Sequence, residues 1–244
     1  GLGDVYKRQL IIRTNHSFTG TVGEGGGYIR YAAASDLFNM ALAQNRLDPQ
    51  YLLNSLSRNL THGLTGVNLR AEMPADGNSQ AFVNFDDFIP RTSTAAAIMV
   101  VGAARGEDPS QAMMWTLMGF PLTTVAVPVW ITSDKNLPRV LGMKEDFHSP
   151  LCDAAMVFKR ELFPIKRGSG GKYMNVALLL NREKSGFLQK LAPVEEEIFA
   201  RAAALTSSMP ERKGQRSEAI TEFYGWVDSY IVKTYNELFG LHME

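Results

Sequence analysis

Three short apolar runs, residues 93–103, 112–119 and 125–131, constrain the fold of this chain more than any other feature. Turn chemistry separates them: Gly106-Glu107-Asp108-Pro109 in the first gap and Gly119-Phe120-Pro121 in the second. Apolar runs of this length bounded by Gly and Pro are strand signals, and connections this short predict an antiparallel meander. Pro128 has no N–H to give to a ladder, so the third strand is expected at an edge or a bulge.

Either side of the meander the pattern turns helical. Residues 28–46 have helical apolar spacing, with Ile29, Leu37, Met40 and Ala41 on one side. Asp48-Pro49 reads as the N-cap and first position of a second helix reaching about residue 59. Residues 62–79, rich in Gly, Asn and Pro, read as loop. A further helix follows Ser149 and stops before Pro164, and residues 173–180 fit strand or helix equally. Pro193 reads as a helix start with Glu195, Glu196 and Glu197 in the first turn, where the helix dipole favours anions. A last helix over 217–238 carries Ile220, Phe223, Tyr224, Val227, Tyr230 and Ile231 on one stripe. The order α, then β, then α predicts an α+β fold, with the strands of 93–131 in one sheet beneath the helices of 29–59.

Charge and composition remove several function classes. Lys plus Arg number 25 and Asp plus Glu 25, giving zero net charge, where a nucleic-acid binder shows a basic excess or stripe. The longest apolar runs, such as 95–101 and 125–131, are too short to span a bilayer. A single Cys excludes an internal disulfide framework and a multi-cysteine metal site. The four histidines, at 16, 62, 148 and 242, lack metal-ligand spacing, so no metal or cofactor is expected. There is no Gly-x-Ser-x-Gly elbow, and Gly168-Ser169-Gly170-Gly171-Lys172 fails the phosphate-loop pattern because Lys occupies position 166 and Tyr follows Lys172. Residues 1–9, Gly1 to Gln9, have no initiator Met and no apolar signal core. They read as a non-native junction on an incomplete reading frame, or else as a disordered N-terminal tail.

The candidate chemistry lies just beyond. Leu10-Ile11-Ile12 reads as a short buried strand ending at Thr14-Asn15-His16, and the glycines at 23, 25, 26 and 27 lead into Tyr28-Ile29-Arg30-Tyr31. An amide at a strand end and a guanidinium at a helix mouth can surround a reacting carbonyl with donors. Singly, each has an ordinary explanation: Asn as a turn former, Arg as a surface charge. Cys152 lies in the first turn of its helix, which can lower a thiol pKa. Leu151, Ala155, Met156 and the opposing charge of Asp153 favour a packing role instead.

Together these segments resemble the N-terminal nucleophile hydrolases of the choloylglycine hydrolase and penicillin acyltransferase group. The resemblance is nearest to the self-processing acyl-coenzyme A:6-aminopenicillanic acid acyltransferase-like branch. Thr14-Asn15-His16 is similar to that branch's Thr-Asn-His, and Tyr28-Ile29-Arg30-Tyr31 to the helix entry that carries its active-site arginine. Arg91-Thr92-Ser93-Thr94-Ala95-Ala96-Ala97, Met114-Trp115-Thr116 and Gly119-Phe120-Pro121 resemble the paired strands that follow. The resemblance implies a partial four-layer αββα fold over residues 10–190, with residues 191–244 a helical extension. It also implies a small-molecule acyl amide or thioester substrate, and leaves a homo-oligomer open. Asn15 and Arg30 would be catalytic, and Thr14 and His16 would contact substrate. The family's nucleophilic cysteine begins its mature chain, ahead of the matched segment. Cys152 does not occupy that place, so the chain is expected to lack its own nucleophile and to be inactive alone.

Overall fold

The computed structural model describes residues 27–103, 105–106, 108–131, 136–143, 148–210 and 212–243. It is an α+β structure. The expected meander is present: β2 (Ala96–Val101), β3 (Met113–Met118) and β4 (Ala126–Trp130) form an antiparallel sheet in the order β2-β3-β4. Ile98 pairs with Thr116, and Thr116 with Val127. Pro128 lies opposite Trp115 in β4, which pairs with β3 alone among the described strands, so the edge expectation holds. A second, two-stranded sheet joins β1 (Phe82–Asn84) to β5 (Tyr173–Asn175).

The helices begin with α1 (Tyr28–Ala43). Asp48 caps α2 (Pro49–Tyr51) by accepting from the Tyr51 N–H at 2.8 Å. The chain then widens into a π-helical turn, Leu52–Leu56, closed by Ser57 N–H to Leu52 O. After the sheet come α3 (Pro150–Leu162), the short α4 (Val176–Leu179), α5 (Phe187–Ser207) and α6 (Lys213–Phe239). Residues 173–180 resolve their ambiguity by being both strand and helix. Asn175 ends β5 and turns the chain, its carboxamide oxygen accepting from Ala177 N–H at 3.2 Å.

Three expectations are corrected. Met40, placed on the packed side of α1, is 53% exposed, and the buried positions are Ala33, Ala34 and Ala41. The large sheet lies chiefly under α3, α5 and α6; of the helices of 29–59 the Leu52–Leu56 turn reaches β2, with Leu53 joining the core cluster, while α1 does not join it. The reason is side-chain volume. Trp115 stacks on Phe199 at 4.2 Å and Trp130 meets Phe223 edge-on at 5.2 Å, whereas the alanine stripe of α1 offers little apolar area.

The third correction concerns Pro193, which lies inside α5 instead of opening it. Gln189 anchors the true start: its side-chain oxygen accepts from Gly186 N–H at 3.3 Å and Asn181 N–H at 3.0 Å. Pro193 denies the Gln189 carbonyl its helical donor, and burial of Leu188, Leu191, Val194 and Ile198 along the same helix outweighs that loss. The consequence is that Glu195 sits in mid-helix and buried, not in a solvated first turn.

A second core cluster lies around the small sheet. Phe85 stacks on Phe88 at 4.6 Å, and Phe120, Phe163 and Met174 close around them. Gly119 links the two cores. Its φ of +81° turns the chain after β3, and a Cβ there would lie 2.6 Å from that of Ala155 on α3.

Candidate functional site

Arg30 is the sequence-identified site residue that falls among the described residues. It precedes Ala33 and Ala34 by one helical turn, so the 3.6-residue period puts it on the packed face of α1. Arg30 is accordingly half-buried. The helix is held there by close approach: Gly63 passes against Ile29 O and Ala33 so tightly that a Cβ would collide with backbone. Tyr51 adds a hydroxyl donated to Leu37 O at 3.1 Å.

Among the described residues, the charges that act on Arg30 come from the loop following β1. Burial lowers the Arg30 pKa first, the like charge of Arg91 lowers it further, and Asp87 opposes both. Phe88, between Asp87 and Arg91 in sequence, is anchored in the second core and receives His62 edge-on at 5.4 Å. Among the described residues, Arg91 and Asp87 thus act on Arg30 at the N-terminal end of a 16-residue helix, where the backbone dipole is also positive. Such an arrangement favours a thiolate, a carboxylate or a developing oxyanion. Thr14, Asn15 and His16 lie outside the described residues, so the structure leaves their distance from Arg30 unstated.

Cys152 is a free, half-buried thiol. Its thiol pKa is raised, by burial first and then by Asp153, with Lys159 opposing. Its backbone lies against Gly119. Among the described residues, no group of three or more His, Cys, Asp or Glu side chains is placed to hold a metal ion.

The strongest electrostatic feature was missed in the sequence. Arg58 and Glu195 form a buried bidentate pair at 2.6 and 2.7 Å, their side chains 4% and 3% exposed. Arg58 also donates to Pro121 O at 2.7 Å, to Thr124 O at 2.8 Å and to the Asn54 side-chain oxygen. Glu195 accepts in addition from Ala126 N–H at 2.6 Å, at the start of β4. The only sequence hint is a polar pair, Asn54 and Arg58, at helical spacing among Leu52, Leu53, Leu56 and Leu60. This pair ties the π turn, the 121–126 connection and α5 into one unit.

No family model, curated protein or solved structure matches the chain. Among the described residues no helix is long and apolar enough to cross a membrane.

Proposed function

We propose that this chain is part of a cysteine N-terminal nucleophile hydrolase or acyltransferase, acting on an amide or thioester acyl group. The observation that supports this best is the position of Arg30, on the inward face of the first turn of α1 and beside Asp87 and Arg91. The β2-β3-β4 sheet under α3, α5 and α6 suits one helix-and-sheet half of a four-layer αββα arrangement. Ile98 and Val100, exposed on the opposite side of β2, mark where a second sheet would pack.

In this reading a terminal cysteine thiolate attacks the acyl carbonyl, and its α-amine, with an ordinary pKa of about 7.7–8.0, takes the thiol proton. Asn15 donates its amide N–H to the tetrahedral oxyanion, a role worth about 10²–10³ in rate. Arg30 holds the thiolate and orients substrate through a fork that stays charged at all working pH values. Thr14 and His16 contact the substrate beside Asn15. Collapse expels the amine or thiol, and water or an acceptor amine then takes the acyl group. The nucleophile is assigned to no residue of this chain, and Cys152 is left in its packing role.

The Arg30–Arg91 pair also favours a second reading, a non-catalytic protein that binds a carboxylate on the same scaffold. One experiment separates the two. The 244-residue chain is titrated with paired acyl amides and free acids and assayed for turnover, alongside Arg30→Met and Cys152→Ala. The enzyme reading expects amide binding without turnover, weakened about ten-fold or more in Arg30→Met. Preference for the free acid supports the carboxylate binder. Turnover that vanishes in Cys152→Ala overturns the assignment and makes Cys152 the nucleophile.

A further inference from the structure

A cavity of about 360 Å³ opens between the π turn after α2 and the loop that follows it. Its polar lining includes Asn54, Ser55, Arg58, Asn59, Asn68 and Arg70, and among the described residues no carboxylate borders it. The orientation of the three carboxamides is set by bonds already made. The side-chain oxygen of Asn54 accepts from Arg58, that of Asn59 accepts from Thr61 N–H at 2.6 Å, and that of Asn68 accepts from Arg70 N–H at 2.9 Å. With each oxygen engaged, the remaining polar atom of each side chain is the NH₂ group, a pure donor. None of these three NH₂ groups has a protein partner among the described residues. Asn59 is only 5% exposed overall and borders this cavity.

The charge has the matching sign. Glu195 neutralises Arg58 from the far side. Arg70 has no carboxylate within ion-pair distance among the described residues, and its pKa is lowered by burial first and then by the charge of Arg58. Arg70 as a whole residue is exposed and borders the cavity, where a solute can reach it. A second cavity, of about 240 Å³, shares Asn54, Arg58 and Arg70 with the first but is also bordered by Glu195 and Glu196, so the first is the one suited to an anion. The π turn that presents Asn54 and Ser55 is a conformation that recurs at functional sites.

We propose that this cavity is a binding site for a phosphate group, free or carried as a monoester, held by Arg70 and the NH₂ groups of Asn54, Asn59 and Asn68. Donors on several sides suit a tetrahedral oxyanion better than a flat carboxylate with two oxygens. The site is separate from the Arg30 end of α1 and stands whether or not the acyl-transfer reading survives.

Side-chain amide resonances of ¹⁵N-labelled protein, followed during titration with inorganic phosphate, test it directly. Ionic strength is matched with chloride, and acetate serves as the planar competitor. Saturable shifts confined to Asn54, Asn59 and Asn68 are expected. The Arg70→Gln variant, whose remaining spectrum reports an intact fold, should raise the dissociation constant about ten-fold or more. The proposal is overturned by shifts that do not saturate, by acetate binding as tightly as phosphate, or by an Arg70→Gln variant that binds like the parent.

Discussion

Removing the charge of Glu195 while keeping its shape should be among the most destabilising single changes in this molecule. In Glu195→Gln the Arg58 guanidinium stays buried, keeps its carbonyl partners Pro121 O and Thr124 O, and loses its counter-ion. The new amide also places an NH₂ group against either the Arg58 donors or the Ala126 N–H. Leaving one member of a buried ion pair uncompensated costs about 3–5 kcal/mol, set against a total stability of about 5–15 kcal/mol for an ordinary domain. The double replacement Arg58→Met with Glu195→Leu should cost less than the two single changes added together. It removes both charges, although Pro121 O, Thr124 O and the Asn54 side-chain oxygen then lose a donor and Ala126 N–H an acceptor, at about 1 kcal/mol each. Urea unfolding followed by tryptophan fluorescence is a suitable assay, because Trp115 and Trp130 are buried in the core that Glu195 helps to close. A loss below about 1 kcal/mol in Glu195→Gln would refute the argument, since the pair would then be behaving like a solvated one. Strict additivity in the double variant would refute the coupling.

Two further outcomes follow from local geometry. Asp108 has its pKa lowered to about 2, first by the Ser110 N–H and then by Arg216. A carboxyl depressed in the folded state stabilises above its unfolded pKa of about 3.9 and loses that contribution as pH falls through the folded value. The urea midpoint should therefore fall between about pH 4 and pH 2, and Asp108→Asn should flatten that part of the profile; an unchanged profile would count against the assignment. Gly119→Ala forces a side chain into φ +81° and against Ala155, which should cost about 2–4 kcal/mol by the same unfolding assay. A neutral result there would mean that α3 can shift away from the turn at no cost.

Much of the fold was legible because its signals are local. The meander announces itself through Gly and Pro between short apolar runs, and Asp48-Pro49 marks a helix start that the Asp48 side chain then caps. Where local signals carry two meanings, the reading failed. Pro193 fits a helix start or a tolerated interior position, and the choice was made by Gln189 reaching Asn181 and by apolar burial along α5. Three consecutive glutamates look like a solvated face. Only the assembled core shows that the first of them meets Arg58, a residue far away in sequence. Arg30 was readable as a helix-mouth residue, and its spacing to Ala33 and Ala34 gives its face, but Asp87 and Arg91 reach it from a loop that periodicity does not describe.

The asparagines of residues 59–68 show why a loop signal can conceal a site. Asn59 and Asn68 favour this loop because their side-chain oxygens accept backbone N–H groups two residues on. That bond fixes the carboxamide and engages its one acceptor atom. Whatever direction the loop then takes, its other end is a donor pair with a fixed aim. In most loops water satisfies that pair. Here the chain folds back through the Thr61–Asn68 bridge and sets Asn59 and Asn68 beside Arg70 in one cavity. The bonds that make these residues turn formers thus also set Asn59 and Asn68, with Arg70, at the edge of one cavity. Composition shows the first fact, and only the closure of the loop shows the second.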